Sequence, residues 1–413
     1  MNQYKYALMQ CVLPLTALLI AGVAQAADYK FTPSITVNEE FTDNIAEDKA
    51  KTLGSEFITR AIPGLAFHYT APFWVWDVGY KYEYRYYAQN KRHSEDLHNL
   101  NLKTRWSLID EKLFLDVSDE YSRVSLDQTR DRIKESLFTN QSDQNTFTVS
   151  PNYVLRPTSK LTLRPGVAYQ NIWYKQPDAF DRNIYSGYLN SNYEITDKFS
   201  LISTYIFALT DAEGNISRTH DLQAGIKYEY AKNSFISVQG GNSWYMSSKQ
   251  ESSNPVWTVA INYAGDRYNL KASTSEKYSN DPTSNKLSLN TNYDLGCDWT
   301  FNKGKVVLTS GIVRLKEMPD NQLLSISYNN SASITYEIFT DWEAKLSYGY
   351  NYIDIMQSNT YTTIQTINTG ITYLYSKDLR FSLNYRNIHM YSPGFEVDNK
   401  DINNAIFEVS KTF

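Results

Sequence analysis

The stretch from Leu324 to Ile338, LSISYNNSASITYEI, decides how the rest of the chain is read. Leu324, Ile326, Tyr328, Ala332, Ile334, Tyr336 and Ile338 share one face of a strand. Ser325, Ser327, Asn329, Ser331, Ser333, Thr335 and Glu337 share the other. A strand of a soluble sandwich spans about six residues. This alternation runs about twice as long, the length of a tilted strand crossing a bilayer with lipid on one face and water on the other.

The same period recurs. Trp74, Trp76, Val78, Tyr80, Tyr82, Tyr84 and Tyr86 oppose Asp77, Gly79, Lys81, Glu83 and Arg85, and similar faces span Leu222–Tyr230, Leu287–Trp299, Trp342–Tyr352 and Ile367–Tyr375. The chain ends FEVSKTF, with Ala405, Phe407, Val409, Lys411 and Phe413 on one face. A terminal Phe gains nothing from solvent, so the last strand is expected to close a barrel and to end at a membrane interface. That terminus is also the expected signal for the barrel-assembly machinery.

Short turn signals separate the strands: Ala71-Pro72, Asp110-Glu111, Arg156-Pro157-Thr158, Thr196-Asp197-Lys198, Ala231-Lys232-Asn233, Gly265-Asp266, Asn302-Lys303-Gly304, Thr340-Asp341 and Ser376-Lys377-Asp378. These are the residues tight hairpins require. Longer polar segments lie between them, among them Asn44–Ser55, Ser125–Asp143, Thr210–Thr219 and Ser248–Pro255. Aromatics such as Trp106, Tyr153, Tyr230, Trp299 and Tyr336 sit just ahead of the short turns, where an amphipathic ring suits a membrane–water boundary. The reading is an all-β, antiparallel, up-and-down transmembrane barrel of about 20 strands, with 18 as the alternative, short periplasmic turns and longer external loops. A propeller is the rival, but a blade needs four short strands where each repeat here holds two long ones.

Composition agrees. Mean hydropathy is −0.49 despite 34 tyrosines, and no apolar run past residue 26 approaches the roughly 20 residues of a spanning helix. Residues 1–26 have a Lys, an apolar stretch and the small-residue site Ala24-Gln25-Ala26, the pattern of a secretory signal peptide. Residues 27–413 then form the barrel domain, expected in the cell outer membrane. Only Cys297 survives cleavage, which leaves no intramolecular disulfide. A net charge of −5 with mixed signs excludes a nucleic-acid footprint. No cofactor motif is present.

A family resemblance rests on the opening segments. FTPSITVNEEFTDNI (31–45) is followed by EFITRAIPGLAFHYTAPFWVWDVGYKYEYRYYAQ (56–89) and KLFLDVSDEYSRVSLDQ (112–128). With Pro33-Ser34-Ile35, Thr42-Asp43-Asn44 and Ile62-Pro63-Gly64-Leu65, this order resembles outer-membrane β-barrel porins found with bacterial exopolysaccharide and exosortase systems. The resemblance implies a channel or export partner, with polysaccharide and envelope export proteins as its associates. Lys411 departs from the apolar residue commoner near such a C-terminus, though a Lys can snorkel at an interface.

Catalytic signals are weak. His68, His93, His98, His220 and His389 are scattered. In HSEDLH the two histidines of a strand would point to opposite faces, against a metal site. The informative residues are charges opposite the lipid stripe: Asp77, Lys81, Glu83, Arg85, Lys103, Arg105, Asp116, Lys227, Glu229, Glu343, Lys345, Arg380 and Arg386. They demand a hydrated interior and are the candidates for lining it. Arg130, Asp131, Lys134 and Glu135, in the longest external segment, are candidates for a constriction loop. The expected function is a porin-like conduit for polysaccharide or other hydrophilic solutes, in contact with outer-membrane lipid and lipopolysaccharide. A structural or adhesive barrel with a plugged lumen is the alternative, and an outer-membrane hydrolase is third.

Overall fold

The computed structural model describes residues 27–126, 141–247, 251–284, 286–318, 320–356, 358–394 and 399–413. The expected signal segment, residues 1–26, and the expected constriction residues Arg130, Asp131, Lys134 and Glu135 lie outside them. Twenty strands follow one another. The first ten are β1 (Asp28–Thr42), β2 (Glu56–Ala71), β3 (Trp74–Tyr87), β4 (Glu95–Ile109), β5 (Leu113–Ser125), β6 (Gln141–Tyr153), β7 (Leu161–Tyr174), β8 (Arg182–Thr196), β9 (Phe199–Ala212) and β10 (Asn215–Ala231). The second ten are β11 (Ser234–Ser247), β12 (Glu251–Ala264), β13 (Tyr268–Asn280), β14 (Leu287–Phe301), β15 (Gly304–Glu317), β16 (Gln322–Phe339), β17 (Trp342–Ile355), β18 (Thr360–Leu374), β19 (Leu379–Tyr391) and β20 (Lys400–Thr412).

Every strand pairs antiparallel with its sequence neighbours, and β1 pairs β20 from Ser34↔Thr412 to Thr42↔Asn404, so a 20-stranded sheet closes on itself. Closure removes the free edges that a bilayer cannot hydrate. The alternation is realised as read. Val167 is 57% exposed, Leu295 61% and Leu383 60% on the outer face, and the β1–β20 seam puts Val37 beside Val409 and Phe41 beside Ala405. Aromatic girdles mark both ends. Near the short turns, Trp342 stacks on Tyr373 at 4.8 Å and Tyr268 on Trp299 at 6.2 Å. At the other rim, Tyr352 stacks on Tyr361 at 5.5 Å, and Tyr361 neighbours Tyr391 at 6.3 Å.

Short turns form where the sequence places them. The register shifts by one residue between Glu229 and Ala231 and again between Glu337 and Phe339, just before turns whose Asn233 and Asp341 have φ of 58° and 68°. Asn and Asp tolerate that left-handed region better than other side chains. The external segments differ from expectation. Thr210–Thr219 is no long loop: β9 runs to Ala212, β10 begins at Asn215, and Glu213 and Gly214 turn with φ of 51° and 90°. Ser248–Pro255 is likewise largely the start of β12. Polar composition marks where a strand leaves lipid, not where pairing stops. Backbone hydrogen bonds continue into the aqueous layer.

The first external segment locks the seam. The Asp43 carboxylate accepts from the Asn403 backbone N–H at 2.7 Å and from its side-chain amide at 2.8 Å. Asn44 Nδ2 donates to the Asp401 carbonyl at 3.1 Å and to the Asp48 carbonyl at 2.7 Å, and Lys400 pairs with Glu47 at 3.3 Å. Glu56, fully buried, accepts the backbone N–H groups of Gln89 at 2.7 Å and Lys91 at 3.2 Å. Thr42-Asp43-Asn44 is thus a latch joining the two ends of the barrel.

Candidate site on the inner wall

The registers place all thirteen charged candidates on the inner face. In the periplasmic half, cross-strand rows can be followed from strand to strand. One row reads Lys30, His68, Asp77, Lys103, Ser118, and the next Thr32, Ala66, Gly79, Asn101, Glu120. Arg105 forms a fork onto Asp116 at 2.6 and 3.1 Å, the geometry that suits a planar guanidinium. Lys227 and Glu229 bond to each other along β10 at 2.5 Å. Glu343, Lys345 and Arg380 also lie on this face, on β17 and β19.

His68 accepts or donates at both nitrogens, to Asp77 at 2.5 Å and to Thr70 at 3.0 Å. Hydroxyl, imidazole and carboxylate stand in the order of a nucleophile, base and orienting acid. His68 and Asp77 are, however, 51% and 60% exposed, and such a relay gains its strength from a water-excluded site. It reads as polar lining.

The outer half is built differently. Ion pairs run as a belt around part of the wall. Arg386 reaches Glu40 at 3.6 Å, Glu40 pairs with Arg60, and Arg60 reaches Glu83 at 3.7 Å. Glu83 meets Arg85 at 2.5 Å, Arg85 meets Glu95 at 3.9 Å and Glu95 meets Arg123 at 3.5 Å. The belt continues through Asp143 at 2.8 Å to Lys175 at 3.3 Å. Each charge desolvated by its neighbours is held by an opposite one, the condition under which buried charge is tolerated. Parity in the sequence found Glu83, Arg85 and Arg386. It passed over Glu40 and Arg60, which have the same parity but sit where the strands read as loop flanks.

One element departs from the wall. β13 pairs with β12 only from Thr258↔Ser275 to Ala264↔Asn269, while β13 and β14 stay paired up to Asn280↔Leu287. Beyond Ser275 β13 parts from β12 and lies inside the mouth, while β14 stays paired with β15 out to Ser288↔Glu317. Tyr278 has the parity of lipid-facing Tyr268, yet its hydroxyl accepts from Asn254 at 2.9 Å and its ring lies 6.1 Å from Tyr245, both on the inner face of β11–β12. Glu276, Leu289 and Thr291, also of lipid parity, are buried, and Thr291 donates to Glu276 at 2.6 Å. The hairpin tip crosses to β8. Phe180 donates its N–H to the Pro282 carbonyl at 2.9 Å, and Arg182, 1% exposed, donates to the carbonyls of Asp281 and Ser284.

β10 and β11 approach each other closely at two glycines. Gly225 and Gly241 face inward on β10 and β11, and a Cβ on Gly241 would lie 1.7 Å from the Leu222 carbonyl oxygen. No other residue fits that approach. A second hairpin leans the same way. β4 and β5 stop pairing at Leu100↔Tyr121, and Arg123, of outward parity, reaches inward-facing Glu95. Leu126, at the root of the longest external segment, packs among inward-facing Ile172 and Tyr174. Inward Ile353, Ile364, Ile388, Met390 and Ile402 form a buried apolar cluster on β17–β20. Among the described residues no group of His, Cys, Asp and Glu is placed to hold a metal ion.

Comparison with protein-family models finds no match, and comparison with curated proteins finds none either. Solved structures are similar. The copper transporter OprC aligns over 94% of this chain and 80% of its own, with 8% identity and a TM-score of 0.54. The siderophore receptor PirA from Pseudomonas aeruginosa covers 94% of this chain and 81% of its own, with 11% identity and a TM-score of 0.51. OpdQ from Pseudomonas aeruginosa covers 94% and 98%, at 12% identity and a TM-score of 0.45. At such identities the likeness is one of fold. A closed barrel with an apolar outer face and aromatic girdles at both rims is an outer-membrane protein.

Proposed function

We propose that the protein is a narrow outer-membrane channel for hydrophilic solutes, restricted at its outer mouth by the β13–β14 hairpin. The observation that carries this reading is the inner wall. It is polar and charged through the periplasmic half, at the same heights where the outer wall is apolar. Barrels of 16 to 18 strands already leave an aqueous channel, and charge at this density requires water or close pairing. The hairpin and the ion-pair belt then set the size limit at the outer mouth.

The resemblance of residues 31–128 to porins of exopolysaccharide systems supports a saccharide cargo, with envelope export proteins as partners. Few aromatic rings face inward in the periplasmic half, so sugar stacking along the wall is not the supporting feature; hydroxyl and charge contacts are. The plugged, structural barrel is favoured by one observation: the buried inner-face residues of the outer half.

Planar-bilayer recording separates the two. The channel gives discrete conductance steps, and Lys81→Glu shifts its reversal potential toward cations in a salt gradient. A folded, heat-modifiable barrel without conductance, even after removal of residues 277–286, establishes the plugged barrel instead.

A further inference from the structure

The periplasmic half of the wall contains a recess of about 340 Å³ on β1–β4, lined among others by Lys30, Thr32, His68, Asp77, Gly79 and Asn101. Its origin is a row of small residues. Ala66 and Gly79 sit opposite each other, with Gly64 one row above, so three inward positions carry almost no side chain. Its volume lies in the range of small-molecule sites.

Three lysines stand in this floor or in the rows next to it. Lys30 lines the recess itself, Lys103 follows Asp77 in the row below, and Lys81 stands between Gly64 and Asn99 in the row above. None of the three makes an ion pair among the described residues. The nearest carboxylate, Asp77, is engaged by His68 at 2.5 Å. Thr32 and Asn101 add hydroxyl and amide groups on the floor. Against the three lysines stand Asp77 and Glu120, the latter at the end of the floor row, so the local balance is positive in a chain whose net charge is −5. Resting on the channel reading, we infer that this recess is a subsite for anionic, hydroxyl-bearing solutes of the sugar-acid class. The lysines hold the carboxylate, and Thr32 and Asn101 hold the hydroxyls.

The floor supplies its own control. A Cβ on Gly79 would meet only the Asn101 carbonyl oxygen, at 4.0 Å, so Gly79→Leu fills the recess without altering charge or crowding the backbone. Purified full-length protein in planar bilayers is exposed to a trimer of galacturonic acid or to maltotriose. The acidic trimer interrupts the current at about tenfold lower concentration, the ratio a single charge-assisted contact supplies. Lys30→Gln with Lys103→Gln removes the preference, and Gly79→Leu removes it with all charges in place. Equal block by both sugars, or an unchanged preference in Gly79→Leu, overturns the subsite while leaving the channel intact. If no conductance is seen the channel reading fails, and calorimetric titration of the acidic trimer into detergent-solubilised protein still decides: binding lost in Gly79→Leu supports the subsite, and no binding to the parent protein overturns it.

Discussion

Asp43 shows how one residue serves the whole barrel. It follows β1 outside the membrane span and bonds Asn403 of the last strand twice. Burial alone pushes its carboxyl upward, but hydrogen bonds from Lys51 and Asn403 outweigh it and hold the group below its ordinary value of 3.8. A carboxylate depressed in the folded state contributes stability above its unfolded pKa and loses it as pH falls through the folded value. Asp43→Ala should therefore lower the temperature at which the barrel loses its fast-migrating form in detergent gels at neutral pH. The loss is on the order of 1.5–3 kcal/mol for hydrogen bonds to a charged acceptor. The difference from the parent should close below pH 3.8; a difference unchanged in acid would show that the carboxylate is not the source. Gly241→Ala should fail to give the heat-modifiable barrel, because its Cβ meets the backbone of Leu222 and not a side chain that can move. Normal folding of that variant would mean that the wall behind the hairpin is less sharply bent.

At the scale of elements, the hairpins behave as two kinds of object. Most stay in the wall from rim to rim, and their parity predicts their surroundings. β13–β14 does not, and its residues carry the sign: Glu276 and Thr291 put polar groups on what should be a lipid face, and Arg123, Asp143 and Asn145 do the same on β5–β6. A polar run on the lipid parity marks the point where a strand parts from the neighbour on one side and packs on the inner face beside it. Arg182 holds the tip of β13–β14 across the mouth. Arg182→Ala should free that tip, raise single-channel conductance and admit larger polyethylene glycols, while the pairing of β13 with β14 is retained. Conductance and size exclusion equal to the parent would remove the hairpin as the constriction.

Taken whole, the molecule is a closed sheet with two unlike halves, an open polar inner half and a packed outer half. An even strand number puts both termini on the side of the short turns. An epitope inserted at Gly214 should be labelled on intact cells and one inserted at Asp378 should not. Labelling at Asp378 alone would invert the barrel and assign the packed half to the periplasm.

The sequence by itself determined the barrel, a strand number of about 20, the inner and outer face of most strands and the closing role of FEVSKTF. These follow from a period of two set against lipid and water, which each residue reads locally. Lys81, Lys103, Arg105 and Arg386 were legible as inward for that reason. The tertiary structure decided what lies across the lumen. Whether Tyr278 meets lipid or Tyr245, and whether Asp43 is a solvated loop acid or a latch on Asn403, depend on strands brought together from far apart in the chain. Alternation gives each strand a face; only closure, register and the parting of β13 from β12 decide what that face meets.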